Sequence, residues 1–185
     1  VYSAGGSVSF EQCIFQNNAA DLGGGLFLQD AKFQVHQCAF ENNSAGNGGG
    51  LFLLRGNGQF TECRFLQNQT TREFWNNGGG AAYLSFSDPN FVECQFVENQ
   101  SSWDGGAIIN YKSSPVFEQC HFEKNESMRN DGGAMFNYNL GDLEIPLAVL
   151  CEPKIIRCTF VQNSAGSWGG AIRNRQSNTT IENCL

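Results

Sequence analysis

The chain lacks any basic run: 11 Lys and Arg face 18 Asp and Glu, for a net charge of −7. A nucleic-acid groove needs clustered cations, so no nucleic-acid partner is expected. No apolar stretch nears the roughly 20 residues of a membrane-spanning helix, so no direct membrane span is expected in this segment. No signal peptide is visible, which weighs little because the chain starts and stops inside repeats. What the chain has is glycine and phenylalanine: 22 Gly, and 16 Phe against 4 Tyr and 3 Trp. That composition fits a turn-rich β protein with aromatics stacked inside and does not fit disorder. At 185 residues the chain can enclose one sizeable core.

One nine-residue pattern, apolar-x-x-Cys-x-Phe-x-x-Asn, organises the rest. It runs from Phe10 to Asn18, Val35 to Asn43, Phe60 to Asn68, Phe91 to Asn99, Phe117 to Asn125 and Ile155 to Asn163, with a seventh copy cut short at Cys184-Leu185. A Gly-Gly pair and an apolar run follow each complete copy: Gly24-Gly25-Leu26, Gly49-Gly50-Leu51, Gly79-Gly80-Ala81, Gly105-Gly106-Ala107, Gly132-Gly133-Ala134 and Gly169-Gly170-Ala171. The marker cysteines Cys13, Cys38, Cys63, Cys94, Cys120, Cys158 and Cys184 are spaced 25, 25, 31, 26, 38 and 26 residues apart. Periods of this size signal a solenoid. The apolar runs are short, rich in Phe, Ile and Val, and broken by Gly, Asn and Asp, so the repeat is built from strands.

Cys and Phe two residues apart face the same side of a strand. Polar Gln12, Gln37, Glu62, Glu93, Gln119 and Arg157 precede the cysteines, so Cys and Phe point inward and the other face is wet. The expected architecture is all-β: coils of about 25 residues, each with two or three short strands, stacked in parallel register roughly 4.8 Å apart. Equivalent residues then form ladders: the seven marker cysteines, then Phe15, Phe40, Phe65, Phe96, Phe122 and Phe160, then Asn18, Asn43, Asn68, Asn99, Asn125 and Asn163. Each Asn amide can donate to one neighbouring rung and accept from the other, at a corner where Asn tolerates unusual backbone angles. The Gly-Gly pair marks a bend where a Cβ would clash or φ must be positive. No polar cap closes either end, so residues 1–185 are expected to be one segment of a longer protein, with loop insertions at about 69–77 and 139–153.

The best copies of the two marks are Phe160-Val161-Gln162-Asn163-Ser164-Ala165 with Gly169-Gly170-Ala171-Ile172, and Phe40-Glu41-Asn42-Asn43-Ser44-Ala45 with Gly49-Gly50-Leu51-Phe52. In them the chain resembles the polymorphic outer-membrane protein repeats of chlamydial adhesins and related surface proteins. The resemblance covers nearly the whole chain and rests on six ordered copies of both motifs. It implies a right-handed, single-stranded parallel β-helix of about seven coils, in secreted or surface-displayed proteins that adhere or build structure. The membrane-embedded barrel of that family is absent from this stretch.

Eight cysteines raise the question of disulfides. Seven on one ladder have parallel Cβ vectors, which keep the Cβ atoms near the rung spacing and beyond disulfide reach. They read as buried thiols packing as small hydrophobes. Cys151, inside the second insertion, is open to cross-linking, binding or packing. A one-dimensional ladder offers no tetrahedral ligand set, so neither a metal nor another cofactor is expected. Asp104 and Asp131 occupy matching corners of successive coils, as the paired carboxylates of glycan cleavage would. Asp before Gly-Gly is also ordinary turn chemistry, and that reading is preferred. His36 and His121 lie three coils apart and cannot form a dyad, so no catalytic residue is assigned.

The strand after Gly-Gly is apolar on both faces. Its third positions, Leu28, Leu53, Tyr83, Ile109 and Phe136, are expected to form an outward stripe. Such a stripe is either an interface or a face covered by the 139–153 insertion. Trp75, Trp103 and Trp168 share one corner region, suited to carbohydrate or protein contact or to packing. Of the sequons at Asn42, Asn68, Asn99, Asn125 and Asn178, the middle three fall on the buried ladder, leaving Asn42 and Asn178 as glycosylation candidates. These readings converge on a non-enzymatic structural or adhesive protein, extracellular or at a cell surface. Its partners would be protein (its own copies or other subunits of an assembly) or cell-surface glycans. The alternative is the scaffold of a polysaccharide lyase or glycoside hydrolase whose catalytic residues lie partly outside this segment.

Overall fold

A computed structural model describes residues 1–72, 77–139 and 151–185. One coil shows the plan. Its strands are Leu26–Gln29, Lys32–His36, Ala39–Glu41 and Ser44–Asn47. Each pairs in parallel with its equivalent one coil on: Leu51–Leu54, Asn57–Thr61, Arg64–Leu66 and Gln69–Thr70. A coil therefore holds four strands, not two or three. They stack into a first and a second sheet of seven strands and a third and a fourth of six. Among the described residues no helix is long and apolar enough to cross a membrane, which says nothing of a strand-built barrel.

Four strands need four corners, and single residues with positive φ turn them. Between the second and third sheets these are Gln12, Gln37, Glu62, Glu93, Gln119, Arg157 and Asn183, with φ of 49–54°. Between the third and fourth they are Asn17, Asn42, Gln67, Glu98, Lys124 and Gln162, with φ of 51–56°. The left-handed residue is thus the one before the ladder asparagine, not the asparagine itself. Each costs about 1–2 kcal/mol in an L-residue. The stacked ladders on either side impose it.

Those ladders are the core. The rings of Phe40, Phe65, Phe96 and Phe122 stack at 4.6–4.9 Å with planes within 8°. A second column from the second sheet, Phe60, Phe91 and Phe117, stacks at 4.7 and 5.0 Å. The two columns meet edge to face, as at Phe65–Phe91 and Phe96–Phe117. Both geometries suit aromatic quadrupoles. Every ladder asparagine from Asn43 to Asn125 donates through Nδ2 to the next Asn Oδ1, at 2.9–3.0 Å. The same Nδ2 donates to a phenylalanine carbonyl at 2.8–2.9 Å, and these four side chains are fully buried.

The cysteine ladder does more than fill space. Cys38 Sγ donates to His36 O at 3.3 Å and accepts the Cys13 N–H at 3.3 Å, so the thiol satisfies backbone groups at its corner. Burial pushes the Cys38 thiol up to about 11 and Cys94 well above its ordinary value. All eight cysteines are free. Cys151 is not in a protruding loop. Lys154 pairs with Val116 and Thr180, so Cys151 stands level with Ser113 and Ser177 on an internal row that also includes Ser87. It is 2% exposed and packs there, its Sγ 3.6 Å from Asn110 O. Residues 140–150 of the second insertion, and Phe74 and Trp75 of the first, lie outside the described residues.

The outward stripe requires a correction of register. Leu28 pairs with Leu53 and Leu53 with Leu84, all three facing the core. The outward row is Phe27, Phe52, Tyr83, Ile109, Phe136 and Arg173. Leu28 and Leu53 were placed on the wrong face because Gly25 and Gly50 fill the site that Ala81 fills later. A one-residue slip reverses every side chain. Nor is the stripe open: Phe52, Tyr83, Ile109 and Phe136 are at most 8% exposed within the single chain. They are a second core and not a free interface.

Candidate functional site

The outer face of the second sheet carries a trough of about 690 Å3. Its strands in the first three coils, Ser7–Glu11, Lys32–His36 and Asn57–Thr61, are five residues long. Further along, Pro89, Pro115 and Pro153 stand one residue before the strands Asn90–Val92, Val116–Glu118 and Lys154–Ile156. Proline has no N–H for the ladder, so pairing starts later there. The longer strands place two outward rows side by side: Ser7, Lys32 and Asn57, and Ser9, Gln34, Gln59 and Asn90.

Several outward polar groups on other rows are tied across rungs. Gln12 donates to Gln37 and Gln37 to Glu62, Gln67 to Glu98, and Gln100 to Glu126. Arg55 grips Asp30 in two bonds of 2.7 and 2.9 Å. Asp88 accepts Ser114 N at 2.6 Å, and its own N–H goes to Asn57 Oδ1. Among the described residues, the side chains of Ser9, Gln34, Gln59 and Asn90 make no such bond. A size of a few hundred Å3 with convergent, uncommitted amides is what a small polar ligand needs. Nothing in the sequence distinguishes this row from any other wet face.

Asp104 and Asp131 do come together, in a row with Leu22, Asn47, Gly78 and Trp168 at the corner before the first sheet. Asp104 Oδ1 accepts Asp131 N at 3.1 Å and Asn130 Nδ2 at 2.8 Å. Asp131 Oδ1 accepts Trp168 N at 3.2 Å, and its Oδ2 lies 3.5 Å from Arg173 Nε. Asn47 Oδ1 serves Gly78 N in the same way. This is turn chemistry repeated from rung to rung, which supports the structural reading of the pair. Arg173 also stacks on Trp168, which is 62% exposed, while Trp103 is half-buried.

Burial, helped by the neighbouring Asp131 charge, raises Asp104 from 3.8 to about 6. The folded form therefore keeps a proton that the unfolded chain loses, and this group's contribution to stability falls as pH rises from 3.8 to about 6. The shift corresponds to roughly 3 kcal/mol. Asp104→Asn should accordingly be more stable than the parent at pH 7, by up to about that amount, with no advantage near pH 4. Urea unfolding at both values checks this. A variant no more stable than the parent at pH 7 would remove the argument.

Sequence reasoning missed a second internal amide row, Asn110, Asn137 and Asn174, which continues Leu28, Leu53 and Leu84. Asn110 Nδ2 donates to Asn137 Oδ1 at 2.6 Å and Asn137 Nδ2 to Asn174 Oδ1 at 2.8 Å. Asn110 Oδ1, facing Leu84, has no partner. The signal was there, since an Asn recurs two residues after the Ile or Met of Gly-Gly-Ala-Ile/Met. Asn42 and Asn178 are both exposed, with Asn178 Nδ2 donating to Glu152 at 3.3 Å.

No curated protein matches the chain. The family described as a right-handed β-helix region matches residues 1–185. Parallel sheets in which each strand pairs with its equivalent one coil on agree with that description. The chain belongs to the right-handed β-helix family.

Proposed function

We propose that this β-helix is a non-enzymatic structural and adhesive element of an extracellular or cell-surface protein. It would bind a hydroxyl-rich partner, a glycan or a polar protein surface, through the trough on its second sheet. The single observation that carries the reading is that the uncommitted side chains of Ser9, Gln34, Gln59 and Asn90 line this one trough. Amides offer both donors and acceptors without charge, and Lys32 and Asp88 at the edge leave the trough nearly neutral. The Phe-x-x-Asn and Gly-Gly-Ala-Ile marks, similar to those of polymorphic outer-membrane proteins, support the surface placement. The polysaccharide-cleaving alternative gains little from Asp104 and Asp131, each of which has an oxygen engaged in holding its corner.

The test is binding of neutral and acidic oligosaccharides, followed by amide chemical shifts, beside sedimentation velocity for self-association. Gln34→Ala with Gln59→Ala should abolish trough shifts and leave the fold intact, because both side chains lie on the outer face. A parent chain that neither binds a glycan nor associates would sink the proposal. Release of reducing ends or unsaturated sugars would replace it with the enzymatic one.

A further inference from the structure

Three sequons put their acceptor nitrogen inside the asparagine ladder. Asn68, Asn99 and Asn125 are each 0% exposed. Asn68 Nδ2 donates to Phe40 O at 2.8 Å and to Asn99 Oδ1 at 3.0 Å. Asn99 Nδ2 donates to Phe65 O at 2.9 Å and to Asn125 Oδ1 at 3.0 Å. Asn125 Nδ2 repeats the arrangement on Phe96 O and Asn163 Oδ1, both at 2.9 Å. Both N–H bonds of each amide are therefore in use. N-glycosylation removes one of them. The Nδ2–C1 bond forms, the bond from sugar C1 to the pyrophosphate of a lipid-linked oligosaccharide breaks, and the amide proton leaves. The product cannot make the second ladder bond, and its sugar has no exit from a closed core.

Timing makes this decisive. Oligosaccharyl transfer acts on the extended chain entering the secretory lumen, before a fold can hide its asparagines. We infer that this chain folds only where N-linked transfer does not reach it, and that in a eukaryotic secretory lumen Asn68, Asn99 and Asn125 are fold-blocking modification sites. Asn42, exposed at a corner, and Asn178 carry no such penalty. An extracellular destination then requires an export route that bypasses the transferase.

The fold itself suggests the variant, at the cost of buried hydroxyl bonds to Ser102 N, Trp103 N and Trp103 O. Thr70, Ser101 and Ser127 complete the three sequons, and their row is alanine at Ala20, Ala45 and Ala165. Thr70→Ala, Ser101→Ala and Ser127→Ala together delete the sequons and keep every ladder asparagine. Parent and triple variant are expressed in eukaryotic cells with and without a cleavable secretory leader. Without the leader both should fold. With it, the parent should carry glycans at the three ladder sites and be lost as folded product, and the triple variant should be recovered. Should the variant prove too unstable, the parent with its leader is expressed under an inhibitor of lipid-linked donor synthesis, which should restore folding without any change of sequence. A parent secreted folded, with its ladder asparagines bare or glycosylated, overturns the inference. So does a parent that stays unfolded under the inhibitor.

Discussion

Gly106→Ala should abolish cooperative folding of the central coils. The backbone of Gly106 lies outside the left-handed region, so the cost is contact and not conformation. A Cβ there would sit 2.0 Å from Gly133 O and 2.6 Å from Glu126 C and N, all backbone atoms of the next rung. None can swing aside as a side chain would. The same row repeats the crowding: a Cβ on Gly49 would meet Gly80 O at 2.3 Å, and one on Gly80 would meet Gly106 O at 2.3 Å. Relief means spreading two rungs and breaking Gly106 N to Gly132 O, 3.0 Å, and Ile108 N to Ala134 O, 2.9 Å. We expect a loss of at least about 4–5 kcal/mol, at the extreme of single substitutions. In a solenoid that loss also uncouples the coils on either side. Ala107→Gly, one residue on, is the control. Gly25 and Gly50 already occupy its row, so it should cost about 1 kcal/mol. Urea unfolding followed by circular dichroism, with amide exchange to place the damage, separates the two. Similar midpoints for both variants would mean the rungs yield more than their geometry allows.

The Cys, Phe and Asn ladders were legible because the third sheet leaves no slack. Cys, a three-residue strand such as Ala39–Glu41, one left-handed residue and Asn must follow one another, so the Cys-to-Asn distance never varies. The four-cornered shape was less legible. Gln, Glu and Lys have no preference for positive φ, and only stacked neighbours place them there. The first-sheet register failed at the glycine triplets 23–25 and 48–50, where nothing marks which two of three form the corner. In later coils an alanine fixes the count. That slip turned Leu28 and Leu53 outward. The stripe through Tyr83, Ile109 and Phe136 could be read as apolar, but burial is a property of what lies over it, and sequence period does not report that. The trough is illegible for a related reason: nothing in the sequence shows which outward amides stay unbonded.

Asn99→Ala should cost on the order of 4 kcal/mol, far more than one surface amide. Asn99 Oδ1 accepts both the backbone N–H and Nδ2 of Asn68, each at 3.0 Å. Its Nδ2 serves Phe65 O and Asn125 Oδ1. Truncation leaves the Asn68 N–H without a partner, takes an acceptor from Asn68 Nδ2, and takes one donor each from the Phe65 carbonyl and Asn125 Oδ1. Asn68, Asn99 and Asn125 are fully buried. An orphaned buried group costs about 1–3 kcal/mol; here one is orphaned outright and three more each lose a bond. Asn18→Ala at the exposed end of the row is the comparison. Its backbone N–H keeps Asn43 Oδ1 at 3.0 Å, and only the Nδ2 bond of 3.1 Å goes. That change should cost less than about 1 kcal/mol. If the two variants shift the urea midpoint equally, the amide row is a consequence of the stacking, and the phenylalanine columns alone hold the third corner in register. If Asn99→Ala falls by several times more, the ladder specifies the coil, because only an amide can satisfy backbone above and below from one position.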